Sequence, residues 1–340
     1  MEFIKVKEIG HGSFSKVSLA KPIFQNSNFP SLVAVKSCGL SQFGFLMKER
    51  VILDELSGCP EIIKCYGDCF KVENREKLYN VVLEYACGGS LANRVMNSGQ
   101  VFDECEIRDY THSVLKGIRY FHEKGYVHCD IKLENILLSD NGDVKIADFG
   151  LAKRITEEKG STFDIRGTPL YMAPETVKKG EQGQAADIWA FGCLVLEMFT
   201  RKPVWNISDV CGLFLKIGVG EEIPEIPGEL SDAGKDFLSK CLVKDVRRRW
   251  TAEMLLGHPF VNGGKRWVSP SRSPRNPFDF SDWETEKSCW VTPCSRPEMK
   301  LEVGLWTRQE KRVSVSNRLR HLVNNERPNW SDIESWITIR

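Results

Sequence analysis

Two stretches of this sequence gather side chains that could handle phosphate and a hard metal ion. The first is Gly10-His11-Gly12-Ser13-Phe14-Ser15-Lys16-Val17, followed by Val33-Ala34-Val35-Lys36. Glycines let a backbone approach a phosphate closely and turn its N–H groups towards the negative charge. Alone the loop is weak evidence: hairpin glycines more often only make a turn, and Ser15 fills the third small position. A Lys inside an apolar strand needs a partner or a role, unless it lies on an edge facing water. Glu49 is the candidate partner. It opens the run Glu49-x-x-Ile52-Leu53-x-x-Leu56, whose apolar residues would turn it towards the sheet. The competing reading is a solvated helix Glu beside Lys48 and Arg50.

The second stretch is His128-Cys129-Asp130-Ile131-Lys132-Leu133-Glu134-Asn135, then Asp143-Val144-Lys145-Ile146-Ala147-Asp148-Phe149-Gly150 after a short turn. Asp130, Asn135 and Asp148 stand amid apolar residues and would be costly to bury without a function. Asp and Asn oxygens are hard ligands that suit Mg²⁺, which keeps waters and bridges phosphates. A separate carboxylate can accept a hydroxyl proton. Each of the three, taken singly, is an ordinary turn residue; their order and spacing together point to phosphoryl transfer.

These groups need elements to hold them. Phe3 to Val6, Lys16 to Ala20, Leu32 to Lys36 and Tyr79 to Tyr85 read as strands, the last ending in the turn Cys87-Gly88-Gly89-Ser90. Phe45 to Leu56 carries apolar residues at helical spacing. Glu104 to Lys124 is a long helix with Ile107, Tyr110, Val114, Leu115, Ile118 and Phe121 on one face. Asp187 to Thr200 is a very apolar helix, hence a buried one. A small β-rich lobe followed by a larger helical lobe is the expected architecture. The texture changes at Asn262. Ser269-Pro270-Ser271-Arg272-Ser273-Pro274-Arg275-Asn276-Pro277 is a linker by composition, and six of the nine Trp lie beyond it or at its edge (267, 283, 290, 306, 330, 336).

The 340 residues carry 47 Lys+Arg against 46 Asp+Glu, a net charge of +1. That balance gives no support for broad electrostatic binding to nucleic acid or to an anionic membrane. No apolar run approaches the ~20 residues that span a bilayer, and Met1 to Gly10 has no signal-peptide core. The twelve Cys show no paired CxxC spacing, so a zinc site is not expected. Reduced thiols in the cytoplasm and/or nucleus are the default.

Taken in order, these motifs resemble a eukaryotic protein kinase over about residues 3–260. The resemblance rests on the glycine loop, Val-Ala-Val-Lys36, Glu49, His128-Cys-Asp130, Lys132, Asn135, Asp148-Phe-Gly, Gly167-Thr-Pro-Leu-Tyr-Met-Ala-Pro-Glu175, Asp187-Ile-Trp-Ala-Phe-Gly192, Arg249 and His258-Pro-Phe260. It implies an α+β, bilobal protein-kinase fold: a small β-rich N-lobe (about 3–86), a larger helical C-lobe (about 90–260), and a C-terminal tail (262–340), regulatory and largely without fixed structure. It implies ATP and Mg²⁺ as cofactors. Ile9, Gly10, Gly12, Ser13, Val17, Ala34, Glu84 and Ala86 would line the nucleotide pocket. Lys36, paired with Glu49, would grip the α/β-phosphates, and Asn135 and Asp148 would hold the metal. Asp130 would orient and deprotonate the acceptor hydroxyl, and Lys132 would contact the transferring phosphate. Glu175 and Arg249 look like a structural ion pair. Asp130-x-Lys132-x-x-Asn135 with Gly167-Thr168-Pro169 is similar to the Ser/Thr pattern. The run Cys87-Gly-Gly-Ser-Leu91 resembles the short plant MAP kinase kinase kinases, which phosphorylate MAP kinase kinases in stress or hormone signalling.

Cys129 departs from the family, where most members have an Arg that binds an activation-loop phosphate. The expectation is weaker dependence on loop phosphorylation, with Lys153 left to offer a cation; loss of activity on alanine at Ser161 and Thr162 would refute it. Thr156, Ser161 and Thr162 are candidate phosphosites, against ordinary loop hydroxyls. Cys129 as a redox thiol competes with a passive replacement. In the tail, Ser269-Pro, Ser273-Pro and Thr292-Pro suit a proline-directed kinase, against chance in a Ser/Pro-rich linker. Phe278-Asp-Phe-Ser-Asp-Trp283 and Trp330-Ser-Asp-Ile-Glu-Ser-Trp336 are candidate segments for a regulatory partner or for docking on the kinase itself. Two rivals to an active kinase are a pseudokinase scaffold, which Cys129 alone supports, and an adaptor working through the tail.

Overall fold

The computed structural model describes residues 2–12, 15–23, 29–97, 102–156, 165–207 and 209–262. Ser13, the loop hydroxyls Ser161 and Thr162, and the tail beyond Asn262 with all its candidate motifs lie outside the described residues.

The N-terminal lobe is a five-stranded antiparallel sheet of β1 (Phe3–His11), β2 (Lys16–Pro22), β3 (Val33–Gly39), β4 (Cys65–Glu73) and β5 (Glu76–Glu84), ordered β1-β2-β3-β5-β4. One helix, α1 (Phe43–Glu55), packs on it. Strand alternation sorts the Val-Ala-Val-Lys run between the two faces of the sheet. Val33 and Val35 join Phe3, Ala20 and Val82 in a small core on the outer face, while Ala34 enters the main core with Leu46, Ile52 and Leu53 of α1. Lys36, two residues after Ala34, therefore faces α1.

The connection runs through β6 (Gly89–Ser90) into α2 (Leu91–Asn97) and the long α3 (Glu104–Glu123). Asp103 caps α3 by accepting from the Glu106 N–H at 2.7 Å, satisfying one of the free donors of the first turn. The predicted face of α3, Ile107 to Phe121, is buried. Short strands β7 (Tyr126–Val127), β8 (Ile136–Leu138), β9 (Val144–Ile146) and β10 (Lys153–Arg154) carry the polar stretch, β7 pairing with β10 and β8 with β6 and β9. The helices α4 (Pro174–Lys179), α5 (Gln184–Thr200), α6 (Val210–Gly218), α7 (Asp232–Cys241), α8 (Ala252–Leu256) and α9 (Pro259–Asn262) complete the larger lobe. From Asp187 to Met198 α5 is buried on every side, as its composition demands. Among the described residues no helix is long and apolar enough to cross a membrane.

Candidate active site

The sheet delivers one side of the site in rows. Gly10 stands opposite Val17, Val17 opposite Lys36, and Lys36 opposite Val81; Ala34 stands opposite Leu19 and Leu83. Directly opposed residues share a face, so Val17, Lys36 and Val81 project together. The glycine hairpin is closed by the Gly12 N–H donating to the Ser15 carbonyl at 2.8 Å. Ala86 is buried where the chain leaves β5, and Ile9 on β1 is largely exposed. The Glu84 carboxylate takes Lys145 at 3.1 Å and the Lys64 N–H at 3.2 Å, and the Glu84 N–H donates to the Lys64 carbonyl at 2.8 Å, so its side chain is committed to protein partners.

Lys36 Nζ sits between two carboxylates, 2.6 Å from Glu49 and 2.7 Å from Asp148. Burial by itself would lower the ammonium, but Glu49 and then Asp148 override it and hold it well above its ordinary value. Asp148 is held down to about 2, chiefly by the charge of Lys36. Burial pulls Glu49 upward against Lys36; with a 2.6 Å contact to a committed cation, the ionised pair is the state the geometry supports. Phe149 pins this arrangement. It is fully buried, its ring lies 4.6 Å from that of His128 and 5.8 Å from that of Phe121, and its N–H donates to Glu49. Asp148 itself adopts a left-handed conformation, φ +63°.

The second cluster surrounds Asp130, which is 8% exposed. Its Oδ1 accepts from the Thr168 N–H at 3.0 Å and the Thr168 hydroxyl at 2.7 Å. Its Oδ2 takes Lys132 at 2.8 Å and the Asn135 amide at 3.1 Å. Lys132 also donates to the Thr168 Oγ1 at 2.9 Å. Beneath them Asp187, at the start of α5, accepts from the His128 N–H (2.8 Å), the Cys129 N–H (3.0 Å) and the His122 ring (2.9 Å). Three donors on one buried carboxylate fix the loop and hold Cys129 at φ +67°. The Asp130 N–H donates to His128 Nδ1, so Nε2 carries the proton and donates to the Ala147 carbonyl at 3.1 Å. Gly167 closes the cluster at φ +107°; a Cβ there would stand 2.2 Å from the Cys129 carbonyl oxygen.

All the described residues expected in catalysis thus fall into these two clusters, and the backbone ties the segments that carry them, the Ala147 N–H donating to the Asn135 carbonyl at 2.9 Å. Thr168 and Asp187 were visible only as parts of longer signatures, and their bridging roles depend on contacts across 38 and 58 positions. Glu175 and Arg249 form the expected structural pair at 2.5 and 2.9 Å. The Cys129 thiol is pushed up by burial and then by Asp187, so it stays protonated, against the redox reading. Lys153 and Arg166 lie close enough for their charges to act on it. A further tie joins α1 to the segment after Gly150: the Glu55 carboxylate holds Arg154 and accepts from the Tyr126 hydroxyl at 2.8 Å.

A paired-lysine cleft under a five-stranded sheet, facing a carboxylate cluster on a helical lobe, defines a protein kinase, and the chain belongs to the protein kinase domain family, whose model matches residues 3–261. It is 44% identical to mitogen-activated protein kinase kinase kinase 20 of Arabidopsis thaliana across the whole of both chains. It is 35% identical to kinase kinase kinase 18 of the same plant, over the whole of this chain and 99% of that one. To the Arabidopsis kinase YODA it is 46% identical over 58% of this chain and 22% of YODA. The chain is a Ser/Thr protein kinase similar to plant MAP kinase kinase kinases, and ATP use comes with the family. The scaffold alternative is disfavoured, since Lys36, Asp130, Asn135 and Asp148 are present and paired.

Proposed function

We propose that this kinase transfers the γ-phosphate of Mg²⁺-bound ATP to Ser/Thr hydroxyls of MAP kinase kinases. The observation that carries the reading is Lys36 shared between Glu49 and Asp148, facing a separate carboxylate, Asp130, already oriented by four donors. Held charged by its two partners, Lys36 is available to phosphate oxygens at any physiological pH. Asn135 directs its amide nitrogen to the Asp130 carbonyl (2.8 Å) and carboxylate, which leaves its carbonyl oxygen as a hard donor. Asp148, with only Oδ1 on Lys36, keeps its second oxygen for the same purpose. These two oxygens fit Mg²⁺, which when bound neutralises charge on the β- and γ-phosphates. Asp130 holds the acceptor hydroxyl in line and takes its proton as the new P–O bond forms and the bond from the γ-phosphorus to the β-bridging oxygen breaks, with ADP as the leaving group. Lys132, beside it, offsets the charge on the phosphoryl oxygens. The relatives' names and the shared motifs support MAP kinase kinases as the substrates.

The test is phosphate transfer from ATP, with Mg²⁺, to a panel of inactive MAP kinase kinases, wild type beside Lys36→Met and Asp130→Asn. Transfer by wild type and loss in both variants supports the reading. Transfer only to a general protein substrate removes the cascade assignment.

A further inference from the structure

The segment that meets Asp130 has an exacting position and little regular structure to hold it there. Thr168 reaches the Asp130 carboxylate through its N–H and its hydroxyl. Gly167 lies against the Cys129 carbonyl with no room for a Cβ, and turns at φ +107°, a conformation that a residue without a Cβ takes most easily. Arg166 and Gly167 belong to no strand or helix. Side-chain packing does not fix them either: a cavity of about 20 Å³ lies between Cys129, Arg166, Thr168, Gln182 and Asp187.

Gln182 supplies the hold. Its Oε1 accepts from the Arg166 N–H at 3.2 Å, and its Nε2 donates to the Arg166 carbonyl at 2.6 Å. An uncharged side chain that satisfies the donor and the acceptor of one residue together must carry both functions side by side, which an amide does. The tie imitates one rung of antiparallel sheet pairing. Gln182 stands in the connection between α4 and α5, and that connection is itself braced. The Thr176 hydroxyl donates to the Glu181 carbonyl at 2.9 Å, the Gln184 amide to the His122 carbonyl at 2.8 Å, and Arg249 to the Ala185 carbonyl at 2.7 Å. The amide thus links a fixed loop to the segment carrying Thr168. It is neutral, so it asks for no phosphate and no cation beside Cys129.

We infer that Gln182 is a positioning residue for phosphoryl transfer: by holding the Arg166 main chain it sets Thr168 on Asp130 and so aims that carboxylate at the acceptor hydroxyl. The inference rests on the role given to Asp130 above. The route is short, because Gly167 alone separates Arg166 from Thr168. A released Gly167 rotates freely and draws the Thr168 N–H and hydroxyl off Asp130 Oδ1, while Lys132 and Asn135 stay on Oδ2. Asp130 then keeps its charge and loses its aim.

The experiment uses the full chain carrying Gln182→Met, which keeps the length and loses both bonds, and Gln182→Glu, which keeps the acceptor but sets a second oxygen against the Arg166 carbonyl. Phosphate transfer from ATP, with Mg²⁺, to a general protein substrate such as casein is measured well below each variant's melting midpoint. The expected result is a fall in kcat of roughly fivefold to a hundredfold in both, from two lost hydrogen bonds. The KM for ATP stays at the wild-type value, because Lys36, Glu49 and Asp148 are untouched. Since the effect passes through Thr168, the losses from Gln182→Met and Thr168→Val combine to less than their product. An unchanged kcat overturns the inference whatever the melting midpoint does, and with a lowered midpoint it makes Gln182 a purely structural tie. Losses that multiply in full overturn it too, as does a rise in KM for ATP that matches the fall in kcat. An Asp130→Asn variant that still transfers phosphate refutes the role of Asp130 and this inference together; a refutation confined to the Gln182 variants touches this inference alone.

Discussion

Replacing Thr168 by valine removes one hydroxyl from the second cluster and little else. The side chains are nearly the same shape, and the Thr168 N–H stays on Asp130 Oδ1 at 3.0 Å. Asp130 Oδ1 loses its 2.7 Å donor, and Lys132 loses an acceptor at 2.9 Å while keeping Asp130 Oδ2 at 2.8 Å. A hydrogen bond to a charged group contributes about 1.5–3 kcal/mol. If that difference is felt in the transition state, kcat falls by roughly 10- to 150-fold. The KM for ATP should hold, because Lys36, Glu49 and Asp148 make no contact with Thr168. Thr168→Ser, which keeps the hydroxyl, should restore most of the rate. Steady-state kinetics on a protein substrate at saturating ATP reads both numbers. A valine variant within about twofold of the wild-type kcat, or a serine variant as slow as the valine one, would refute the bridging role of Thr168.

Lys36→Met leaves Glu49, 2% exposed, as a buried carboxylate without its 2.6 Å partner. Breaking a buried pair costs about 3–5 kcal/mol, so the melting temperature falls as transfer is lost; adding Glu49→Leu should return the melting temperature and not the activity. Asp148 sits near 2 in the folded chain against an ordinary 3.8, so its ionised form favours folding above pH 3.8 and that preference fades as pH falls towards 2. The melting-temperature difference between wild type and Asp148→Asn should stay level from pH 7 to about 4 and shrink only below, and a decline already at pH 6 would contradict the Lys36 contact. The exposed thiols of Cys87, Cys105 and Cys211 should alkylate well before Cys129, whose thiol burial keeps protonated; mass spectrometry of partially labelled protein would give the order.

Groups whose surroundings are local were readable in the sequence. A Lys flanked by Val, Ala and Val announces a buried cation, and Glu49 is the carboxylate that the spacing of Ile52, Leu53 and Leu56 turns inward. The long face of α3 follows from a clean 3.6-residue period capped by Asp103. Strand β4 escaped because it is an edge strand, half-buried over Cys65–Cys69 with no alternation and exposed beyond. Helix α6 escaped because its nine residues are shorter than the stretch over which a helical period can be told from a short buried strand. Thr168, Asp187 and the Glu55–Arg154 tie depend on which distant segments meet, and neighbouring residues carry no trace of that.

Glu49 and Glu55 are six residues apart on α1, about 9 Å along its axis and roughly 120° apart around it. One holds Lys36 of the sheet; the other holds Arg154 and Tyr126 of the helical lobe. A single rigid rod thus serves as a shared coordinate: rotating α1 to release one glutamate strains the other. Linkage then requires reciprocity, so that nucleotide tightens the Arg154 end by the same factor by which order in that segment tightens nucleotide. The weaker grip sets the ceiling. Glu55 and Arg154 are nearly half exposed, 41% and 48%, so water and salt screen their pairing and keep this mutual effect small.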